Sequence, residues 1–373
     1  MFLKIKSFFL QKPRNVRIFL YAFGITLLAT IIIGTILWFT MRNWIQPPDI
    51  PDQVVITRPV LESPIDEEDN EGAVLDPEDQ TDVEDEPVVG TPPPEVIAIM
   101  DRKDLFFTFL VFGHDQGGRT DTLMIGAFDA INHSAYVINV PRDTRINVNR
   151  SVPRIVQAYP IGRSGGRGHD GGVAQLKNEM QSLFGFPVDF YISIDMNAFA
   201  DLVDAIGGVQ ITVPFNMVYD DPYQNLHINL QQGTWKLNGE QALQFARFRY
   251  HNNRAMSITD YRRIEHQQML IRAIANELLS PATLLRVPEL IGIYRDNVRT
   301  DLTYGQMTWF AMQLPSFGGI DSLSTYTLPT LGGSNEPGGG EIPDQAAILE
   351  LINRTVNPFI EPITAEMVNM VSR

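Results

Sequence analysis

The chain has 373 residues, a formal net charge of −15 at pH 7 and no cysteine. Without cysteine it has no disulfide framework, which fits an exported protein but does not by itself fix a compartment. The basic residues are dispersed along the chain, which excludes a nucleic-acid-binding protein that relies on a basic surface.

An uncharged apolar stretch near the start of the chain predicts a membrane span. Ile18 to Phe39 contains 22 residues without a charged side chain, enough to cross about 30 Å of hydrocarbon as a helix. Five basic residues precede the stretch, whereas Arg42 alone closely follows it. The bias predicts a single-pass signal anchor over 18–39 in the cell membrane, a cytoplasmic tail over 1–17 and an extracytoplasmic C-terminal part.

A cleaved signal peptide is the alternative interpretation of this stretch. The apolar region of a signal peptide is usually about 7 to 15 residues long and ends in a small-residue cleavage site. Here the apolar run is longer, and the sequence Met41-Arg42-Asn43-Trp44 lacks such a site. These features favour an uncleaved anchor.

An acidic, proline-rich segment follows the predicted span. From Asp49 to Glu95 there are 16 acidic residues and one basic residue, Arg58, so this segment accounts for the net charge of the whole chain. Such a composition cannot bury enough apolar surface to fold. It predicts a disordered tether over 40–96, either an extended spacer or an unimportant linker, followed by an extracytoplasmic catalytic domain over 97–373.

Apolar patterning predicts an α/β fold, layered as α-β-α around a central mixed sheet. Short β-branched and aromatic runs predict strands at Phe106 to Phe112, Leu123 to Phe128, Ala135 to Val140, Phe190 to Ile194, Val209 to Val213 and Thr325 to Leu328. Helical spacing predicts helices at Gly172 to Phe184, Ala198 to Ile206, Asn238 to about Phe245, Asp260 to Leu279, Ala282 to Ile293, Tyr304 to Gln313 and Asp344 to Asn353. Asn238 and Gln241 form a predicted capping box, and the turn Asp129 to Ser134 predicts an antiparallel hairpin.

The loop after the first predicted strand carries the first candidate site residues, Asp115, Arg119 and Asp121. Two carboxylates at the rim of a sheet repel each other unless a cation lies between them. With threonine hydroxyls and water, Asp115 and Asp121 therefore predict a magnesium site. The alternative is that both aspartates cap turns.

A Pro-Arg-Asp turn directly follows the strand predicted over Ala135 to Val140. Arg142 is expected to point toward the first cluster, where its guanidinium group would bind phosphate oxygens. Asp143 either orients Arg142 or accepts a proton from an attacking hydroxyl. An ordinary surface ion pair is the alternative for this turn.

Two more groups of polar residues lie on the later helices. Arg247 and Arg249 are two residues apart where the chain leaves a helix, so they face one side if the backbone becomes extended and would suit a diphosphate. Asp260, Arg263 and Gln267 share one helix face, for which an exposed ion pair is the alternative. Because open α/β sheets bind ligands at the rim, the clusters together predict a pyrophosphate and metal centre.

Taken in order, these motifs resemble the LytR, CpsA, Psr (LCP) family of cell-envelope proteins over about Leu105 to Asn276. The resemblance rests on the loop with Arg-Thr-Asp, the Pro-Arg-Asp turn, Phe190–Asp195, Leu202–Val209, Leu237–Leu243 with its Arg-x-Arg, and the helix that contains Asp260 to Gln268. The chain departs from the family at His266, where arginine is usual. It also has Val156–Tyr159 in place of Asn-His-Ala-Tyr, followed by the glycine-rich Gly162 to Gly172.

The resemblance implies a magnesium-dependent phosphotransferase. Its expected donor is a polyprenyl-pyrophosphate-linked glycopolymer, such as teichoic acid or capsular polysaccharide, its acceptor is peptidoglycan, and polyprenyl phosphate is released. The lipid would need an apolar channel beside the helices at Ala198 to Ile206 and Ile264 to Leu279, although the apolar faces of these helices equally fit an ordinary core.

The resemblance also assigns roles residue by residue. It implies Asp115 and Asp121 as magnesium ligands, and a pyrophosphate site of Arg119, Arg142, Arg247, Arg249, Arg263 and Gln267. The expected catalytic residues are Arg119, Arg142, Asp121 and Asp143.

Several alternatives stay open at the level of sequence. The chain could be a non-catalytic polyprenyl-pyrophosphate-binding regulatory membrane protein, or a lipid pyrophosphatase that uses water. The general base among Asp115, Asp121 and Asp143 is open, and so is the role of Leu314 to Arg373, in which Gly332 to Gly340 resembles a loop.

Overall fold

The computed structural model describes residues 45–57, 96–114, 118, 120–222, 226–249, 260–280, 283 and 298–371. The predicted span Ile18 to Phe39 and the predicted helix at Ala282 to Ile293, apart from its residue 283, lie outside these ranges. None of the helices in the described ranges is long and apolar enough to cross a membrane. The chain divides into two compact units: one is Asp49–Leu302 with Ala311–Arg373, and the other contains Thr303–Phe310 and residues 45–48.

The strands and helices predicted within the described ranges are present, and further strands that were not predicted accompany them. The described strands are β1 (Gln53–Thr57), β2 (Val96–Asp101), β3 (Phe106–His114), β4 (Thr120–Asp129), β5 (Ser134–Asn139), β6 (Phe190–Asp195), β7 (Val209–Val213), β8 (Met217–Asp221), β9 (Leu226–Leu230), β10 (Gly233–Leu237), β11 (Val298–Thr300), β12 (Leu323–Thr327), β13 (Thr330–Gly333) and β14 (Glu341–Pro343). The described α-helices are α1 (Ala158–Arg163), α2 (Gly168–Phe184), α3 (Met196–Ala205), α4 (Gly239–Arg247), α5 (Asp260–Leu278), α6 (Tyr304–Gln313) and α7 (Gln345–Thr355).

The central sheet has six strands in the order β11-β6-β3-β4-β5-β12. β3 pairs with β6 in parallel and with β4 antiparallel, β4 and β5 are antiparallel, and β12 is parallel to β5. The turn between Asp129 and Ser134 therefore closes the predicted antiparallel hairpin. The predicted α/β class with a central mixed sheet is confirmed.

The main hydrophobic core covers one face of this sheet. Alternate residues of β3 and β4, among them Leu110, Phe112 and Ile125, are fully buried there, as the two-residue period of a strand requires. Apolar residues of α2 and α7 pack against them. Burying each such side chain contributes about 1.5–3 kcal/mol before the entropy of folding is subtracted.

A second hydrophobic cluster joins α3, α4 and α5 to the two small sheets β7–β10 and β8–β9. Val203, Phe245 and Leu270 are buried in it. The apolar faces of α3 and α5, beside which a lipid channel is expected from the family resemblance, thus contribute to a packed core, while the channel itself stays a prediction. Asn238 caps α4 through the predicted capping box, with Gln241 as its partner.

The two glycine-rich segments, Gly162 to Gly172 and Gly332 to Gly340, are partly regular structure. Gly162 lies in α1, and 168–172 form the first part of α2. The glycines permit close packing of these helices, since a Cβ at Gly162 would lie 2.4 Å from the Gly171 oxygen. Similarly, β13 and β14 form an antiparallel hairpin at the two ends of Gly332 to Gly340.

The tether predicted over 40–96 is wrong in its first part, because Gln53–Thr57 forms β1 and pairs antiparallel with β2. Val54 faces the core and Ile56 is fully buried in it, an alternation hidden by the acidic composition around it. Thr57 is the register partner of Val96. The acidic segment 58–95 therefore connects two adjacent strand ends of the folded domain, and in the sequence it does not separate the predicted span from the first strand of that domain.

Replacement of residues 58–95 by a four-residue Asn/Gly turn tests this connectivity. We expect the fold to persist, with the free energy of unfolding unchanged or raised by up to about 2 kcal/mol, because a shorter loop costs less closure entropy. Urea unfolding of the two full-length proteins in detergent measures the difference.

The matched control deletes residues 53–95, which also removes β1. This variant is expected to lose stability, since it removes the buried Ile56 side chain from the core. Equal destabilisation by both deletions would show that the acidic segment itself supports the fold.

Candidate functional site

The pairing of β4 with β5 places Asp121 beside Arg142. The strands run antiparallel with Met124 opposite Asn139, and the Val140 amide continues the pairing by donating to the Leu123 oxygen at 2.8 Å. The beginning of β4 therefore lies next to the turn that follows β5. There the Arg142 Nη1 atom donates to Asp121 Oδ1 at 3.0 Å.

Asp143, which follows Arg142 on the same turn, lies between two arginines. Its Oδ1 accepts from Arg154 Nη1 at 3.0 Å, and its Oδ2 lies 3.7 Å from Arg142 Nε. Asp143 is thus within ion-pair distance of Arg142, and its two predicted roles, orienting Arg142 or accepting a proton, stay predictions. Arg154 has no sequence motif that marks it, and only the folded chain brings it here.

Helix α5 supplies the opposite wall. Arg263 and Gln267 are one helical turn apart, as their four-residue spacing predicts, and both line the same pocket as Arg142. Arg263 is buried, and the Gln267 amide donates to Thr122 Oγ1 at 3.2 Å. In the next position, Gln268 ties the helix to β12 by donating to the Tyr326 oxygen and to Thr327 Oγ1, each at 3.1 Å.

These residues line one pocket at the end of the sheet. Its lining consists of Asp121, Leu123, Asn139, Val140, Pro141, Arg142, Asp143, Arg263, Ile264, Gln267 and Glu341. Five of these, Asp121, Arg142, Asp143, Arg263 and Gln267, are predicted site residues. Asn139 and Glu341 are new, and Glu341 lies far from the other motifs in sequence.

The charges on the pocket lining constrain what it can bind. Two guanidinium groups face three carboxylates there, so this lining alone does not carry the excess positive charge that a diphosphate requires. Further positive charge must come from elsewhere, and Arg119, Arg247, Arg249 or a divalent cation are the predicted sources. A phosphate ligand would therefore need such additional cationic partners to bind in this pocket.

The remaining predicted residues fall into two groups. Asp115 and Arg119 lie outside the described residues. Arg247 and Arg249 are described but do not belong to the pocket lining. The end of α4 that carries Arg247 nonetheless packs near the site, because the Phe245 and His266 rings are 4.7 Å apart.

A magnesium centre is not assembled by the described residues. Asp121 already accepts a hydrogen bond from Arg142, and in the described ranges no three histidine, aspartate or glutamate side chains are arranged to hold a metal ion. The other predicted ligand, Asp115, is not described. Magnesium binding stays a prediction.

An aromatic cluster lies at the end of β3, around His114. The Tyr159 hydroxyl and His169 Nδ1 form a hydrogen bond of 2.8 Å, and the His114 ring stacks on Tyr159 at 5.4 Å. Burial raises the pKa of Tyr159, and burial, assisted by the positive charge of Arg299, lowers the pKa of His169. Neutral rings are therefore favoured in this part of the structure.

His266 occupies the position at which the family usually has arginine. Its side chain is 4% exposed and packs against the rings of Phe245 and Phe215. Burial, with a smaller effect from the charge of Arg262, lowers the pKa of His266 to about 4. His266 is thus a neutral core residue one position before Gln267, and it adds no positive charge to the site.

The fold and the pocket define an α/β domain whose arginine- and carboxylate-lined site lies at one end of a central mixed sheet. The model of the LytR_cpsA_psr family matches residues 76–350. The chain belongs to this family, which confirms the resemblance seen in its motifs. The match also extends beyond the 105–276 region on which that resemblance rested.

Individual relatives agree with this assignment. The Bacillus subtilis (strain 168) "Polyisoprenyl-teichoic acid--peptidoglycan teichoic acid transferase TagV" is 27% identical over 215 residues, 55% of this chain and 52% of TagV, so the match spans about half of that relative. The crystal structure of B. subtilis TagV matches with a TM-score of 0.55 at 22% identity, over 73% of this chain and 100% of that one. A structure of TagT bound to LIIa-WTA matches with a TM-score of 0.54 at 20% identity, over 68% and 91%. The two structures support the fold.

The buried His266 makes stability depend on pH. The His266 side chain takes up a proton near pH 6.5 in the unfolded state and only near pH 4 in the native state. Its contribution to the free energy of unfolding is therefore complete above pH 6.5 and is lost as pH falls toward 4. We expect the wild type to lose about 2 kcal/mol more than His266→Gln between pH 7 and pH 5. Urea unfolding at both pH values measures this, and equal losses in the two proteins would contradict it.

Proposed function

We propose that this domain transfers a polyprenyl-pyrophosphate-linked anionic glycopolymer, of the teichoic acid or capsular polysaccharide type, to peptidoglycan. The observation that carries the proposal is the convergence of Arg142 and Arg263, from different elements, with Asp121 and Asp143 in one pocket. The names of the relatives, a teichoic acid transferase and a TagT structure bound to LIIa-WTA, support the same substrate class.

The chemistry of the transfer suits the pocket. A hydroxyl of peptidoglycan attacks the glycan-side phosphorus, a phosphodiester forms, and the bond to the bridging oxygen breaks to release polyprenyl phosphate. Negative charge grows on the bridging and non-bridging oxygens, so preorganised guanidinium groups stabilise the transition state. Arg142 contacts Asp121 and Asp143, which fix its position, and Arg263 and Gln267 line the same pocket from α5.

The proposed site includes further positive charge for the diphosphate. Arg119, Arg247 and Arg249 would bind the diphosphate together with Arg142, and magnesium held by Asp115 and Asp121 would neutralise it further. The charge of the pocket lining supports this proposal, because three carboxylates outnumber two guanidinium groups there and would attract a cation. Removal of divalent ions with EDTA, followed by addition of magnesium, tests this part separately.

The proposed setting is the outer face of the cell membrane. The uncharged stretch Ile18 to Phe39 would anchor the chain with its N-terminus in the cytoplasm. Both the lipid-linked donor and the peptidoglycan acceptor would then be on the same side as the domain.

Substitution of Arg142 by alanine tests the proposed activity. We expect a loss of roughly 100-fold or more in kcat, because a preorganised donor to the developing charge is removed. The assay follows transfer of glycan from a farnesyl-pyrophosphoryl disaccharide to purified peptidoglycan. Lys236→Ala, at an exposed position on β10, is the matched control and should retain activity.

The same assay separates the other functions. A regulatory protein would bind the donor without turnover in the wild type, and a pyrophosphatase would release phosphate without joining glycan to peptidoglycan. Either result in the wild-type protein would overturn the proposed transfer.

A further inference from the structure

We propose that Glu341, on the hairpin formed by β13 and β14, is the general base that deprotonates the acceptor hydroxyl. The inference rests on the proposed transfer and assigns a residue from the C-terminal region, for which the sequence suggests no role. Glu341 lines the same pocket as Arg142 and Arg263.

The backbone of Glu341 is fixed against the Pro-Arg-Asp turn. Its amide donates to the Asp143 oxygen at 2.7 Å, and its own carbonyl accepts from the Arg145 amide at 2.8 Å. Thr144 and Glu341 thereby form a parallel bridge. Main-chain bonds to Asp143 and Arg145 therefore fix the backbone of Glu341 against the Pro-Arg-Asp turn that carries Arg142.

The neighbouring glycines make this close approach possible. Gly340 has a φ of +105°, and a Cβ there would lie 2.7 Å from the Asp143 oxygen. Arginine side chains secure the same loop, since Arg145 Nη1 donates to the Gly339 oxygen at 2.9 Å and Arg154 Nε donates to the Gly338 oxygen at 2.8 Å. Arg154 also binds Asp143, so one side chain connects the hairpin to the site.

The three carboxylates of the pocket differ in their partners. Asp121 accepts from Arg142, and Asp143 lies between Arg142 and Arg154. The Glu341 carboxylate instead accepts from the Thr330 hydroxyl at 3.2 Å, and in the described part of the chain no lysine, arginine or histidine lies within ion-pair distance of it. Among these three, Glu341 thus has the most lone pairs left for a substrate hydroxyl.

The proposed step conserves atoms and charge. A lone pair on Glu341 takes the proton of the acceptor hydroxyl while the hydroxyl oxygen bonds to the glycan-side phosphorus. The bond from that phosphorus to the bridging oxygen breaks, and its electron pair leaves with polyprenyl phosphate. The glutamic acid then returns its proton to solvent.

Glu341→Gln tests the assignment in the full-length protein. The substitution keeps the size and the ability to accept from Thr330, but it removes the proton acceptor. With the farnesyl-pyrophosphoryl disaccharide and purified peptidoglycan, we expect kcat to fall roughly 100-fold or more while the KM for the donor stays within about twofold. Glu336→Gln, at an exposed position of the same hairpin loop, is the matched control and should leave kcat unchanged.

Chemical rescue distinguishes a base from a residue that only supports the fold. Sodium formate, added to Glu341→Ala, should restore part of kcat because formate can occupy the vacated space and accept the proton, whereas sodium chloride should not. Wild-type kcat in Glu341→Gln, or an inactive Glu341→Ala that formate does not rescue, would overturn the assignment while leaving the transfer intact. An inactive wild-type protein would overturn both proposals.

Discussion

The antiparallel register of β4 and β5 is the constraint on which the site depends. Because Met124 lies opposite Asn139, the start of one strand and the turn after the other meet at the same edge. Asp121 and Arg142 are therefore neighbours by backbone geometry. A shift of one residue would turn every side chain of the shifted strand to the opposite face of the sheet, and would separate the pair while burying the wrong residues.

The ion pairs of the pocket couple its parts. Arg142 is shared by Asp121 and Asp143, and Asp143 is shared with Arg154, whose Nε reaches the hairpin at the Gly338 oxygen. A diphosphate that binds Arg142 has to compete with these carboxylates. The positions of Arg142, Asp121 and the hairpin are thus linked by side chains in direct contact, and a phosphate bound to Arg142 would act on all three.

Local signals in the sequence were sufficient for five of the six strands of the central sheet, all but the three-residue β11, and for the beginning of α4, because periodicity and the Asn238 capping box act over a few residues. They were also sufficient to place Arg142 and Asp143 directly after an apolar strand, at the end of the sheet where the pocket lies. Glu341 could not be predicted in this way, since its bridge to Thr144 spans nearly 200 residues and has no local pattern. The strand β1 was missed because the acidic composition around it outweighed the alternation of two apolar residues.

The pairing of β1 with β2 has a consequence for proteolysis. Acidic residues 58–95 are the covalent connection between these strands, and hence between everything before Gln53 and everything after Val96. A nick there converts an intramolecular pairing into a bimolecular one and removes the high effective concentration that a connecting segment provides. A five-residue strand whose one fully buried side chain is Ile56 is a weak ligand by itself, so a cut between the two strands would let the two fragments separate.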